Sequence, residues 1–167
     1  MKQGARSTKE EHEAFRARLA EIESLADSIG EVPIEELRPR LLAAHDFLAH
    51  EVMPHAVAEG VVVLPLIRRE TGERTLGVRM TQCHVQLSKL VDELEALIER
   101  SQKEPSRATE RDLGRVLYGV TMVLSAHLAE ADAEVEPLLD ATLSPDERET
   151  LFAAVDKAAH ELADLYE

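Results

Sequence analysis

Four long stretches of this chain carry apolar residues at intervals of three and four, and each stretch puts a histidine on its apolar side. That spacing is one face of an α-helix. The first line is Phe15, Leu19, Ile22, Ala26 and Ile29, with His12 one step ahead of it. The second reads Leu41, His45, Leu48, Val52, His55, Glu59, Val62 and Leu66, and the third Met80, His84, Leu87, Val91, Leu94 and Ile98. The fourth reads Leu113, Leu117, Val120, Leu124, His127, Ala131, Glu134 and Leu138.

Breaks separate the lines. Gly30 and Pro33 end the first helix, a polar run around Gly72 ends the second, and Pro105 ends the third. Helices are predicted over about 7–28, 33 or 35–67, 75–102 and 109–142. Ser7 or Thr8 would cap the first. Pro54 lies inside the second, which predicts a kink just before His55. Ser144, Pro145 and Glu147 open a fifth helix with the residue types of a capping box, and Leu151, Phe152, Val155, Ala159 and Leu162 give it an apolar face. The expected fold is all-α: an up-down-up-down four-helix bundle with an additional C-terminal helix. Residues 1–7 form a flexible N-terminus, 8–142 the bundle, and 143–167 the C-terminal helix packed on it.

Composition agrees and narrows the function. A chain of 167 residues can bury a real core, and 3% aromatics with abundant Ala, Leu and Glu favour helix over sheet. A net charge of −14 argues against nucleic-acid partners and anionic membranes. The single Cys83 excludes an internal disulfide and fits a reducing, cytoplasmic setting. No uninterrupted apolar run approaches the roughly 20 residues of a membrane span, and no apolar signal-peptide core follows the basic start.

Two tests bear on whether the histidines converge. A seam claims two of every seven positions, yet five of the seven histidines fall on seams: His12, His45, His55, His84 and His127, but not His50 or His160. The second test is axial. In a bundle with short loops, sites at one level lie equally far from the turn between them. His12 is 20 residues before a turn at Val32 and His55 is 23 after it. His55 is 16 before Thr71 and His84 is 13 after it; His84 is 21 before Pro105 and His127 is 22 after it. At about 1.5 Å per residue the mismatches are a few ångströms. His45 fails this test and reads as a seam residue near a bundle end.

Glu59 follows His55 by four, so both project from one face, and a carboxylate on an apolar seam is costly to bury without a partner such as a metal. On the fourth helix Asp132 follows His127 by five, about 140° around a straight helix, and reaches a metal only where the helix is locally widened, as in a π-bulge. Glu130, three after His127, is its rival, and Ala131 takes the position between them that faces inward best. Imidazole with carboxylate suits iron, zinc or manganese. Two metals about 3.5–4 Å apart would be bridged by Glu59 and Asp132, with His12, His55, His84 and His127 as the remaining ligands. Cys83 adjoins His84, but neighbours on a helix point about 100° apart, so it reads as a small buried thiol.

The ordered set resembles the hemerythrin-like, or HHE cation-binding, family. It is carried by His12 in EHEAFRARL, His55 and Glu59 in MPHAVAEGVVVLP, His84 in TQCHVQL, and His127 with Asp132 in AHLAEADAEVEPLLD. The resemblance spans about residues 10–140 and implies a four-helix bundle holding two iron ions as a non-haem diiron centre. It departs from the oxygen carriers of that family in two ways. Met80 and Ser88 stand where those carriers have a second histidine of the third helix, and Gly60 and Ala131 stand where many relatives have acids. Coordination positions are thereby left for water or a small ligand.

The expected activity is therefore binding or sensing of a small ligand (oxygen, nitric oxide or a related species), or the handling of iron, in a pocket kept apolar by Val52, Val62, Leu87, Val120 and Leu124. The rivals are a diiron oxidase or peroxidase acting on peroxide and a metal-free helical interaction module. With no output domain in the sequence, a sensor requires a homodimer or another protein as its partner.

Overall fold

The computed structural model describes residues 8–72 and 74–163, and the segment 1–7, with Ser7, lies outside them. The described chain forms five helical rods, with no strand among the described residues. Helix α1 is Thr8–Ser28, α2 is Ile34–Thr71, α3 is Thr75–Lys103, α4 runs 107–142, and α5 is Pro145–Ala163.

The turns follow from local chemistry. Gly30 (φ 86°) and Gly72 (φ 72°) adopt the left-handed conformation that a side chain disfavours. Gly72 closes α2 by donating its N–H to the Arg68 carbonyl at 3.1 Å. Ser106 caps α4, its Oγ accepting from the Thr109 N–H at 3.2 Å. At the start of α5 the Ser144 N–H and Oγ meet Glu147 Oε2 at 2.8 and 2.7 Å, as the sequence leads one to expect. Ser144→Ala should lower stability by about 1 kcal/mol; a chemical-unfolding midpoint unchanged from wild type would show that α5 does not unfold with the rest.

Two rods are widened by a π-turn. In α2 it is Leu48–Val52, where the Met53 N–H bonds to the Leu48 carbonyl. In α4 it is Ala131–Val135, where the Glu136 N–H bonds to the Ala131 carbonyl. Each is followed within two residues by a proline, Pro54 or Pro137. Proline has no N–H to give the fourth residue back, and its ring crowds that carbonyl. The kink expected before His55 is thus realised as a π-turn. Pro39 and Pro65 sit in α2 without one.

Packing joins α1 to α2, α2 to α3, α3 to α4 and α4 back to α1, while α5 lies along the C-terminal half of α2. The core divides in two. One cluster gathers Phe15, Leu19, Phe47, Val52, Leu87, Val91, Val120, Leu124 and Leu128. The other gathers Ala58, Val63, Ile67, Met80, Ala131 and Val135 with Leu151 and Val155 of α5. Arg148 ties α5 down through Glu136 at 2.7 Å and through Asp140.

Two expectations need correction. Val62 and Leu66 are only half-buried, and Val63 and Ile67 face the core instead. Flanked by both α3 and α5, the end of α2 buries a wider arc than one seam. His45 is half-buried too, because the inward line before the π-turn runs Leu41, Ala44, Leu48. No continuous apolar run is long enough to span a membrane, as expected, but Ile34–Thr71 is long and apolar enough, by length and averaged composition, to cross one, with 56% of its most apolar 18-residue window buried within the fold. Averaged hydropathy accumulates across scattered charges that interrupt any continuous apolar run.

Candidate metal centre

Four helices bring one histidine each to the junction of the two core clusters. His12 comes from α1, His55 from α2 three residues past its π-turn, His84 from α3, and His127 from α4 four residues before its π-turn. His12, His55 and His127 are buried, and His84 is the most open, with 12% of its side chain exposed. Glu59, one turn beyond His55, is 0% exposed.

Their Nε2 atoms converge. His12 Nε2 lies 3.2 Å from His55 Nε2. Glu59 Oε2 lies 3.2 Å from His84 Nε2 and 3.4 Å from His127 Nε2. The ring centres of His12 and His127 are 5.9 Å apart, and those of His84 and His127 4.9 Å. One ligand atom each from His12, Glu59 and His127 falls within 4.8 Å of the others. The four predicted residues of α1, α2 and α3 (His12, His55, Glu59 and His84) and His127 of α4 are therefore either in this group or against it; Asp132 is not.

The cluster does not satisfy itself. Among the described residues, neither Glu59 oxygen receives an aligned hydrogen bond, despite the nearby imidazoles, and the outer Nδ1 atoms of His12 and His127 have no partner. Buried polar atoms are rarely left so. Burial pushes His12 down to about 3, helped by the neighbouring His55, and pushes His127 down to about 4. Both are thus neutral imidazoles at ordinary pH, the form that ligates metal. Burial alone would push the Glu59 carboxyl up, but His84 beside it, then His127 and His55, hold it at about 2. An ionised carboxylate buried beside the neutral imidazoles of His12 and His127 calls for a cation, and nitrogen and oxygen donors in this proportion fit a transition metal.

Asp132 does not join them. Its carboxylate, with 45% of the side chain exposed, takes the Arg16 guanidinium of α1. Glu130 pairs with Arg79 of α3, which also holds Glu134 at 2.7 Å. The π-turn that would swing Asp132 inward is present, but it begins only at Ala131, so Asp132 keeps nearly its straight-helix angle from His127. Ala131, at 1% exposure, occupies the inward position.

Sequence reasoning missed Glu11. Its Oε2 lies 3.0 Å from His55 Nδ1, on the side away from the cluster. A carboxylate behind a ligating histidine fixes the ring and raises its basicity. The only signal was an acid beside His12, and nothing in the sequence says that it faces a different helix. His50 and His160 are exposed and make contacts four residues back, to Asp46 and Asp156, as their off-seam positions imply. Cys83 is half-buried, and burial, then Glu130, pushes its thiol up, away from the reactive thiolate.

The chain matches the family model described as Hemerythrin HHE cation binding domain over residues 4–139. It belongs to the hemerythrin HHE cation-binding family. No curated protein and no solved structure gives a significant match. The matched span of this hemerythrin domain contains all five converging residues and ends before α5. Cation binding is the family's stated property, and the histidine–glutamate cluster is where this chain has the donors for it.

Proposed function

We propose that this hemerythrin domain is an up-down-up-down bundle over 8–142, followed by an added helix packed on it, and that it holds two iron ions. The proposed role is to bind or sense a small ligand such as oxygen or nitric oxide, or to handle iron, in the cytoplasm. The observation that carries this reading is Glu59: fully buried, without an aligned hydrogen bond on either oxygen, and faced by imidazoles from separate helices. His12, His55, His84, His127 and Glu59 would hold the metal. Asp132 would add a second carboxylate to this set once freed from Arg16 and turned inward at the π-turn in which it lies. Bound iron supplies open coordination positions and reversible electron exchange with a small ligand.

The chain's own residues do the rest. Glu11 orients His55. Val52, Leu87, Val120 and Leu124, all buried, keep water from the first cluster's side, and Met80 and Ala131 do so from the other. A small neutral ligand suits such walls better than a large polar one. A sensory role calls for a second copy or another protein as partner. The peroxidase reading draws on Met80, fully buried one turn before His84, where a further imidazole would have filled a coordination position.

Iron analysis after anaerobic loading tests the proposal. About two iron per chain are expected, falling below one in a His55→Ala, His127→Ala double variant. Equal iron content in the two proteins, or none in either, removes the metal reading and favours an interaction module. A stable optical band under oxygen supports ligand binding, whereas repeated turnover of added peroxide supports the peroxidase.

A further inference from the structure

A groove of about 830 Å³ lies between the C-terminal half of α2 and the N-terminal half of α3. Its walls are largely apolar, with Leu64 and Pro65 on one side and Gly77 and Val78 on the other, and arginines stand at its outer end. We infer that this groove binds a small anionic amphiphile, an acidic head group on an apolar tail, with the head at Arg68 and Arg74 and the tail running toward His84.

Three observations converge on it. Arg68 and Arg74 are exposed and make no ion pair among the described residues, whereas Arg69 beside them is taken by Glu70 at 2.7 Å. Guanidinium groups pair well with carboxylate and phosphate, and two without an ion pair among the described residues stand out in a chain of net charge −14. Glycine shapes the trough. A side chain begun at Gly77 would meet nothing within 4 Å, and one begun at Gly60 would meet only His84 Nδ1, at 3.9 Å. The inner end therefore abuts the outer face of the most open histidine of the cluster. Val78 in the wall is 55% exposed, so apolar surface of the groove faces solvent. Gly60 and Arg68 are eight residues apart on α2, about 12 Å, which suits a medium-length hydrocarbon tail.

Other occupants fit less well. A two-fold contact with a second copy would present the same basic patch from both sides. An anionic membrane would meet a strongly acidic protein, and a concave trough suits a single molecule better than a flat surface. The proposal stands apart from the iron reading, because the head-group site and the walls contain none of the clustered histidines or Glu59.

Calorimetric titration with monomeric sodium dodecanoate tests it, on protein as purified and again after iron loading. One molecule per chain with micromolar affinity is expected in both. Arg68→Ala with Arg74→Ala should weaken binding at least tenfold, and dodecanol should bind at least tenfold more weakly than dodecanoate. Gly77→Leu should abolish binding by filling the trough, with circular dichroism confirming that the helices persist. Tighter binding of dodecyl phosphate than of dodecanoate supports the same site and assigns its head group. Absent binding, affinity unchanged in the arginine variant, association only with anionic vesicles, or a dimer that excludes dodecanoate would each overturn the proposal.

Discussion

Replacing Glu59 with leucine should stabilise the metal-free protein and abolish its stabilisation by iron. The two effects have opposite signs because they come from two states of one carboxylate. Without metal, Glu59 is fully buried and neither oxygen has an aligned donor. Replacing a whole buried ion pair by apolar groups of similar volume commonly gains about 1–4 kcal/mol, whereas removing one partner of a satisfied pair costs about 3–5 kcal/mol. With no aligned hydrogen bond on Glu59 and with His12 and His127 neutral, the exchange follows the first case. Leucine is close to glutamate in volume, and Ala58, Val63 and Met80 on one side and Val52 and Leu87 on the other offer apolar neighbours. For a chain of this length that corresponds to a rise in melting temperature of about 2–4 °C per kcal/mol.

With iron the order reverses. A ligand that binds only the folded state adds about 4 kcal/mol at a thousand times its dissociation constant. Glu59→Leu removes the carboxylate nearest to both His84 and His127, so this increment should vanish, leaving the variant above wild type in chelator and below it in iron. Thermal unfolding of both proteins in each condition gives the four numbers required. A variant several kcal/mol less stable than wild type in chelator would mean that the carboxylate is satisfied within the protein. An iron-induced rise equal to wild type would mean that Glu59 is not a ligand.

What the sequence disclosed, and what it concealed, divides along one physical line. Positions along a helix are fixed by a constant rise, so equal distances from the turns placed His12, His55, His84 and His127 at one level. Glu59 was equally readable, because a four-residue step from His55 keeps both on one face. Angular position around a helix is less secure. It accumulates error with every departure from 3.6 residues per turn, and both α2 and α4 contain such a departure. His45 was placed on the seam where Ala44 belongs. Asp132 depended on where a widening began, a matter of one or two residues. The prolines at 54 and 137 marked both widened turns, but Pro39 and Pro65 show that proline alone does not produce one. Contacts between helices were hidden altogether. Glu11 behind His55, Arg16 on Asp132 and Arg79 on Glu130 join residues separated by 44 to 116 positions, and a lone charge on a helix surface does not name its partner.

Acid should destabilise the metal-free protein from about pH 6.5 downward, earlier than carboxylate titration would require. Burial pushes His12 to about 3 and His127 to about 4, against 6.5 in an unfolded chain. A histidine whose folded pKa is lowered binds its proton more readily when unfolded. Its contribution is therefore intact above 6.5 and drains away as pH falls, until the folded pKa is reached. Between pH 6.5 and 5 the two groups together should cost about 3 kcal/mol, because each approaches ~1.4 kcal/mol per pH unit only below its unfolded pKa. That is a large share of a total stability of roughly 5–15 kcal/mol. Glu59 acts in the same direction at lower pH: its carboxyl is lowered from 4.5 to about 2, chiefly by His84, so the unfolded chain takes the proton first and acid favours unfolding through that interval. His55 opposes them. Burial alone would lower its pKa, but the Glu11 contact and the Glu59 charge raise it, so its contribution is present below 6.5 and is lost above. Bound iron shifts the balance, because protons must then displace metal from the imidazoles before the histidines can charge. Denaturant titrations at pH 7, 6 and 5, in chelator and in iron, should show a steep fall in the first and a shallower one in the second. A His12→Leu, His127→Leu variant should lose most of the slope in chelator. If wild-type stability in chelator is flat from pH 7 to 5, or the double variant is just as acid-sensitive, the buried histidines are not its cause.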